Sequence, residues 1–280
     1  MRWWLAVILL CSASARAQAS AEATLPPETE KSEAEMSESE KTEALAKKTQ
    51  NPVADLITIP FQSNTNFGVG SGNAVQEVFN IQPVIPIHAG TINVITRTII
   101  PIISQPNISP GQTGSTFGLG NINITAFVSP AKAGKVIWGI GPVLGLPTNT
   151  SQAVGTAKWT FGPSVVVLAM PGHWVLGVLA NNVWSWAGGG SQNVNSLLIQ
   201  PFINYNFKEG WYLTSSPLIT ANWLAQNYSD KWTVPIGAGF GKLIRLGRLP
   251  INLNAQVYYN IWHPTVGPTW QIRAVAAVLF

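Results

Sequence analysis

The chain has 280 residues, of which only 10% are Asp, Glu, Lys or Arg, and its formal net charge is +4. A soluble domain carries about a quarter charged residues, and beyond the N-terminus no run of about 18 apolar residues offers a helical membrane span, so both of those classes are argued against. The bases are scattered over turns and strand ends rather than gathered into a patch, which argues against a nucleic-acid partner.

Residues 1–17 carry the secretory pattern. Met1-Arg2 is a short cationic start, Trp3 to Cys11 an apolar core, and Ala15-Arg16-Ala17 a small-residue cleavage site. Leu10 stands where a lipoprotein site needs a small residue, so Cys11 is read as part of the signal. Residues 18–50 form an acidic leader with eight Glu (22, 28, 30, 33, 35, 38, 40, 43) against four Lys (31, 41, 47, 48), a net charge of −4. Its composition predicts a disordered or partly helical segment, with 37–50 the helical part. From Asn51 onward the balance reverses to ten bases against four acids, and Trp, Gly, Asn and Ile dominate.

The segment 51–280 reads as strand after strand. Ile251, Leu253, Ala255, Val257, Tyr259 and Ile261 alternate with Asn252, Asn254, Gln256, Tyr258, Asn260 and Trp262, a period of two that no helix face produces. Leu197 to Tyr205 alternate with Ser196, Leu198, Gln200, Phe202 and Asn204, and Ile122 to Val128 with Asn121, Asn123, Thr125 and Phe127. Strands are predicted at 57–67, 75–88, 91–104, 118–130, 136–147, 158–170, 174–187, 195–207, 211–223, 231–245, 251–262 and 270–280. Connections alternate strictly between tight turns, such as Ala89-Gly90 and Gly172-His173, and long polar loops. The fold class is therefore all-β: a transmembrane antiparallel up-and-down β-barrel of about twelve strands behind a short N-terminal helical or disordered segment. An even strand number puts both ends on the periplasmic side of a bacterial outer membrane.

The polar face separates this barrel from a soluble one. It is Asn, Gln, Thr, Ser and Gly, with Arg97 and Arg273 as its clear mid-strand charges, and neutral polar side chains suit a narrow hydrogen-bonded lumen. His88, Arg97, Asn204, Asn252, Asn254, Gln256 and Asn260 are the candidate lumen-lining residues. Ten tryptophans fall at strand ends, the expected place for rings at the two bilayer interfaces. The last strand carries Trp270, Ile272, Ala274, Ala276, Val278 and Phe280 on one face. A terminal aromatic on such a strand resembles the signal read by barrel-assembly machinery, so Phe280 is the candidate assembly signal.

Catalytic patterns are lacking in the sequence. His88, His173 and His263 lie at turns or loop edges without a strand serine one or two positions away, the acids are scattered, and no metal, phosphate or nucleophile-elbow motif is present. No cofactor is expected. The runs Asn51-Pro-Val-Ala-Asp-Leu56, Ile59-Pro-Phe-Gln-Ser-Asn-Thr-Asn-Phe67, Trp138-Gly-Ile-Gly-Pro142, Asn181-Asn-Val-Trp-Ser185, Gln200-Pro-Phe-Ile-Asn-Tyr-Asn206 and Trp211-Tyr-Leu-Thr-Ser-Ser-Pro217 resemble the bacterial outer-membrane proteins of the "MetA-pathway of phenol degradation" family. The resemblance covers nearly all of 51–280 and implies a barrel with a transport role, with no catalytic or ligand residues to carry over. Together these readings predict a channel or facilitator for small solutes, aromatic or hydrophobic ones among them. Its partners are lipids of the outer membrane and the assembly machinery, and a non-conducting structural barrel or a barrel hydrolase are the alternatives. Opposite charge further predicts that 37–50 docks against the basic periplasmic turns, a plain spacer being the other reading. Deleting Phe280 is expected to lower membrane yield and leave periplasmic aggregate; normal yield with unchanged heat-modifiable gel mobility would remove the assembly role.

Overall fold

In a computed structural model describing residues 37–108 and 113–280, the alternating segments close into one antiparallel ring. The expected signal peptide and the leader up to residue 36 lie outside the described residues. The twelve strands are β1 (Thr58–Val69), β2 (Ala74–Ile81 and Val84–Ala89), β3 (Ile92–Pro106), β4 (Ser115–Leu119 and Ile122–Pro130), β5 (Val136–Leu146) and β6 (Lys158–Ala169). They continue as β7 (Trp174–Gly188), β8 (Asn195–Asn206), β9 (Trp211–Ser215 and Ile219–Asn222), β10 (Trp232–Leu246), β11 (Leu249–Trp262) and β12 (Trp270–Leu279). Each pairs with its chain neighbour, and β1 closes on β12 from Thr58↔Leu279 to Phe67↔Trp270.

Three strands are interrupted where the sequence reading ran them through. β2 breaks at 82–83, ahead of Pro83, and β9 breaks at 216–218, which contains Pro217; proline supplies no ladder donor. β4 breaks at Gly120-Asn121, so it begins at 115 rather than 118. Tight turns connect the strands at one end. Gly90 and Gly247 open two-residue hairpins with φ of 71° and 63°, a conformation glycine adopts without a Cβ clash.

The outward faces are apolar. Val136, Trp138 and Ile140 on β5, Phe161, Val165 and Val167 on β6, and Leu253, Val257 and Ile261 on β11 are all exposed. Two aromatic girdles bound this band. At the short-turn end Trp174 meets Tyr205 at 4.8 Å and the Lys242 ammonium lies 4.5 Å over the Trp211 ring. At the long-loop end the pairs are Trp159–Trp186, Trp223–Trp232, Tyr228–Trp262 and Tyr259–Trp270. Glu77 faces outward on β2, where Ser63 and Thr65 donate to its two oxygens at 2.6 and 2.7 Å.

The segment ahead of the barrel folds as helix α1 (Glu38–Thr49), started by a capping box in which Glu40 N donates to Ser37 Oγ and Ser37 N to the Glu40 carboxylate. α1 lies across the short-turn end. Ala46, fully buried, and Leu45 pack on Leu243 and Leu279, and Gly210 opposes Thr42 so closely that a Cβ there would come within 2.9 Å of it. Lys47 donates to the Gly172 carbonyl, Gln50 and Asn206 bond at 2.8 Å, and Asn252 donates to Thr49. Ion pairs are few and exposed: Glu38 with Arg245 at 3.5 Å and Glu43 with His173 at 2.9 Å. The helix docks at the expected end, yet it carries three Glu and three Lys and so no net charge; its seat combines a small apolar contact with neutral and charged hydrogen bonds. Accordingly Ala46→Glu, which forces a charge into a closed apolar contact without adding a trypsin site, is expected to release α1 and make Lys47 and Lys48 open to trypsin while the barrel stays heat-modifiable. Equal trypsin resistance in the variant would show that the docking does not depend on this contact.

Candidate functional site

Side chains of one parity on every strand turn into the barrel, and they divide the lumen into two unlike walls. From β8 round through β9 to β1 and β2 the wall is polar, with Asn204, Asn206, Thr214, Asn252, Gln256, Asn260, Asn64, Asn66, Asn80 and Gln82 buried on it. From β3 to β8 the short-turn half is apolar: Ile95, Phe127, Ile137, Val166, Leu168, Val175, Leu179 and Phe202 form one cluster. Val53, from the turn that follows α1, is wedged into that cluster, and Gly139 leaves room for it, since a Cβ there would sit 3.1 Å from Val53 Cγ1. The turn itself is held by Asn51, whose Oδ1 and carbonyl accept from Val53 N and Ala54 N.

Among the sequence candidates, Asn204, Asn252, Asn254 and Gln256 share one space at the short-turn end, where Tyr212 Oη donates to Asn252 Oδ1 at 2.8 Å and Gln256 Nε2 to Asn254 Oδ1 at 2.8 Å. Asn260 stands apart at the long-loop end, donating to the Pro268 carbonyl at 2.7 Å. His88 stands at the rim, largely exposed, with its ring against Asn93 and Asp55. Arg97 is brought to mid-lumen, where Nη2 donates to Gln82 Oε1 at 2.6 Å. At the outer mouth Asp230 accepts from Thr265 N and Oγ1 and from Asn227, bonds that hold its carboxyl below the usual carboxylate range and tie two loops together.

Arg273 is the residue the candidate set omitted. It is 2% exposed and fully engaged in position: Nε donates to Asn64 Oδ1 at 3.1 Å, Nη1 to the Ser216 carbonyl at 2.8 Å and Oγ at 3.3 Å, and Nη2 to Gln271 Oε1 at 3.1 Å. Its guanidinium lies 4.9 Å over the Tyr258 ring, whose hydroxyl accepts from Ser216 N at 2.8 Å and donates to Gln256. Its parity, opposite to Trp270 and Ile272, was the available signal.

Two spaces lie in the lumen, of about 220 Å³ toward the short turns and about 270 Å³ toward the long loops. Gln62, Gln82, Gln200, Arg97 and Arg273 line both, so these three amides and two guanidiniums form the belt between them. No acidic residue lines either space. Among the described residues, neither arginine is within salt-bridge distance of a carboxylate, no cluster of His, Cys, Asp or Glu is placed to hold a metal ion, and the histidines bond Asn93, Asp55, Glu43 and the Pro264 carbonyl rather than a serine.

No family model matches the chain, and no curated protein matches it in sequence. Solved structures do. An outer membrane channel from Pseudomonas putida F1 superposes with a TM-score of 0.62 at 15% identity, over 80% of this chain and 94% of that one. The NanC porin superposes with a TM-score of 0.50 at 7% identity, over 80% and 98%. At such identities the likeness is one of fold, and the class it defines is the closed outer-membrane-type β-barrel.

The two arginines differ in how much structure hangs on them. Arg273→Leu leaves the Ser216 carbonyl without its donor, a loss of about 1–3 kcal/mol for a buried acceptor. It is expected to lower the temperature at which the folded gel band converts to the unfolded one, and Arg97→Leu, which removes a single bond, to lower it less. Equal shifts would contradict this division.

Proposed function

We propose that the chain is a bacterial outer-membrane channel or facilitator for small solutes with apolar or aromatic bodies, its short-turn end facing the periplasm. The single observation that carries this reading is the lumen itself: two spaces meeting at an amide and guanidinium belt, one wall of it apolar, in a ring wide enough that side chains do not fill it. A filled interior would have suited a purely structural role. The apolar outer band and paired girdles support residence in a bilayer, and the fold supports the outer membrane. In the same reading Phe280, exposed at the short-turn end with its N–H on the Ile57 carbonyl, is the assembly signal, and outer-membrane lipids and the assembly machinery are the partners.

The occupied periplasmic mouth favours one competing reading, a barrel that does not conduct. α1 and Val53 stand in the solute's path, so passage requires that segment to yield. Planar-bilayer recordings separate the two. The full chain is expected to give small discrete currents, and the chain lacking 18–50 larger ones. Because α1 carries no net charge and Ala46 and Leu45 anchor it by apolar burial, the increase should persist from low to high salt rather than vanish as screening would demand. Absence of current from both proteins would establish the non-conducting barrel.

A further inference from the structure

The lumen holds two guanidiniums and no carboxylate, and the surplus is not shared evenly. Arg273 spends three of its nitrogens on Asn64, Ser216 and Gln271. Arg97 has five N–H donors, yet among the described residues its hydrogen bonding is the one contact with Gln82. The remaining donors open on the belt, where both lumenal spaces meet. A cation at mid-depth in a low-dielectric wall is costly unless an anion or a strong acceptor attends it. No acidic side chain is there to do so.

Sharing the long-loop space with Arg97 are Phe127, on the adjacent strand β4, and Val143, Leu179 and Leu198 on β5, β7 and β8, with Asn123, Thr125 and Ser164 among them. One ligand therefore meets both kinds of surface at once: a planar anionic head on the guanidinium and an apolar body on these four apolar side chains. A carboxylate matches the fork of an arginine in two parallel hydrogen bonds, which an inorganic halide cannot do. The Gln62 and Gln200 amides, also on the belt, are placed beside the same head.

We propose that Arg97 and the apolar side chains Phe127, Val143, Leu179 and Leu198 form a binding site for small organic monocarboxylates carrying an aromatic or aliphatic body, with the carboxylate on the free donors of Arg97. This rests on the channel reading for its physiological sense, since it names the solute class of that lumen, but the site is testable without conduction. Arg273, already engaged, holds the belt's shape and adds charge, and Arg97 supplies the contacts.

Titration calorimetry on the full chain in detergent tests it with benzoate, benzyl alcohol, acetate and chloride as probes. Benzoate is expected to bind saturably, and benzyl alcohol, without the charge, and acetate, without the ring, at least about tenfold more weakly. Arg97→Gln should remove the preference of benzoate over benzyl alcohol, and Arg97→Lys should restore part of it, because the charge returns without the fork. Equal binding of benzoate and benzyl alcohol by the unaltered chain would overturn the site, as would displacement of benzoate by chloride at equal concentration, which would mark a general anion site. The comparison among probes needs no variant and so holds even if Arg97→Gln fails to fold. Bilayer recordings then separate the two conclusions: benzoate binding in a protein that passes no current defeats the channel and leaves the site, whereas current without benzoate preference does the reverse.

Discussion

Closure of β1 on β12 is the contact on which everything else rests. In hydrocarbon an unpaired peptide group has no water to turn to, so a sheet survives there only when its two edges satisfy each other. The ladder from Thr58↔Leu279 to Phe67↔Trp270 does this. Once the ring is closed, side-chain parity becomes an absolute division: one set of residues meets lipid and must be apolar, and the other meets the lumen and is free to be polar. The low charge of the barrel segment and its wealth of Asn and Gln are consequences of that division.

The interruptions in the ladder are informative because closure makes them costly. Two of the three flank the belt. Gln82, at the break in β2, turns to Arg97, and the Ser216 carbonyl, at the break in β9, turns to Arg273. A side-chain amide at one break and a backbone carbonyl at the other thus become acceptors for the two cations. Proline next to each break, Pro83 and Pro217, removes a donor that the ladder would otherwise have needed.

The short-turn end is closed chiefly by specific packing. α1 carries three Glu and three Lys, so no net charge draws it to the short turns, and the exposed pairs Glu38–Arg245 and Glu43–His173 are of the weak kind. The seat is a small fully buried contact, Ala46 on Leu243 and Leu279, and its size explains why alanine and not a larger residue faces the barrel. Val53 extends the same apolar contact into the lumen, so that helix, turn and inner wall form one continuous closure.

Periodicity by itself determined the strand number, the antiparallel ring, the girdles and the inward parity of Arg97, Asn204, Asn252 and Gln256, because a period of two in a bilayer leaves only one consistent assignment of faces. Composition and local propensity marked 37–50 as helical. What only the tertiary structure decided is which inward residues meet one another. Arg97 and Arg273 are far apart in sequence and share a belt because β1 and β2 lie between their strands in a closed ring. Phe127, Val166 and Phe202 alternate in the sequence with outward residues, yet they gather into one apolar lumenal cluster because ring closure brings inward side chains of separate strands together. Alternation fixes the face a side chain takes; strand stagger and ring closure set its height and its opposite partner, and those are sums over the whole barrel that no local segment contains.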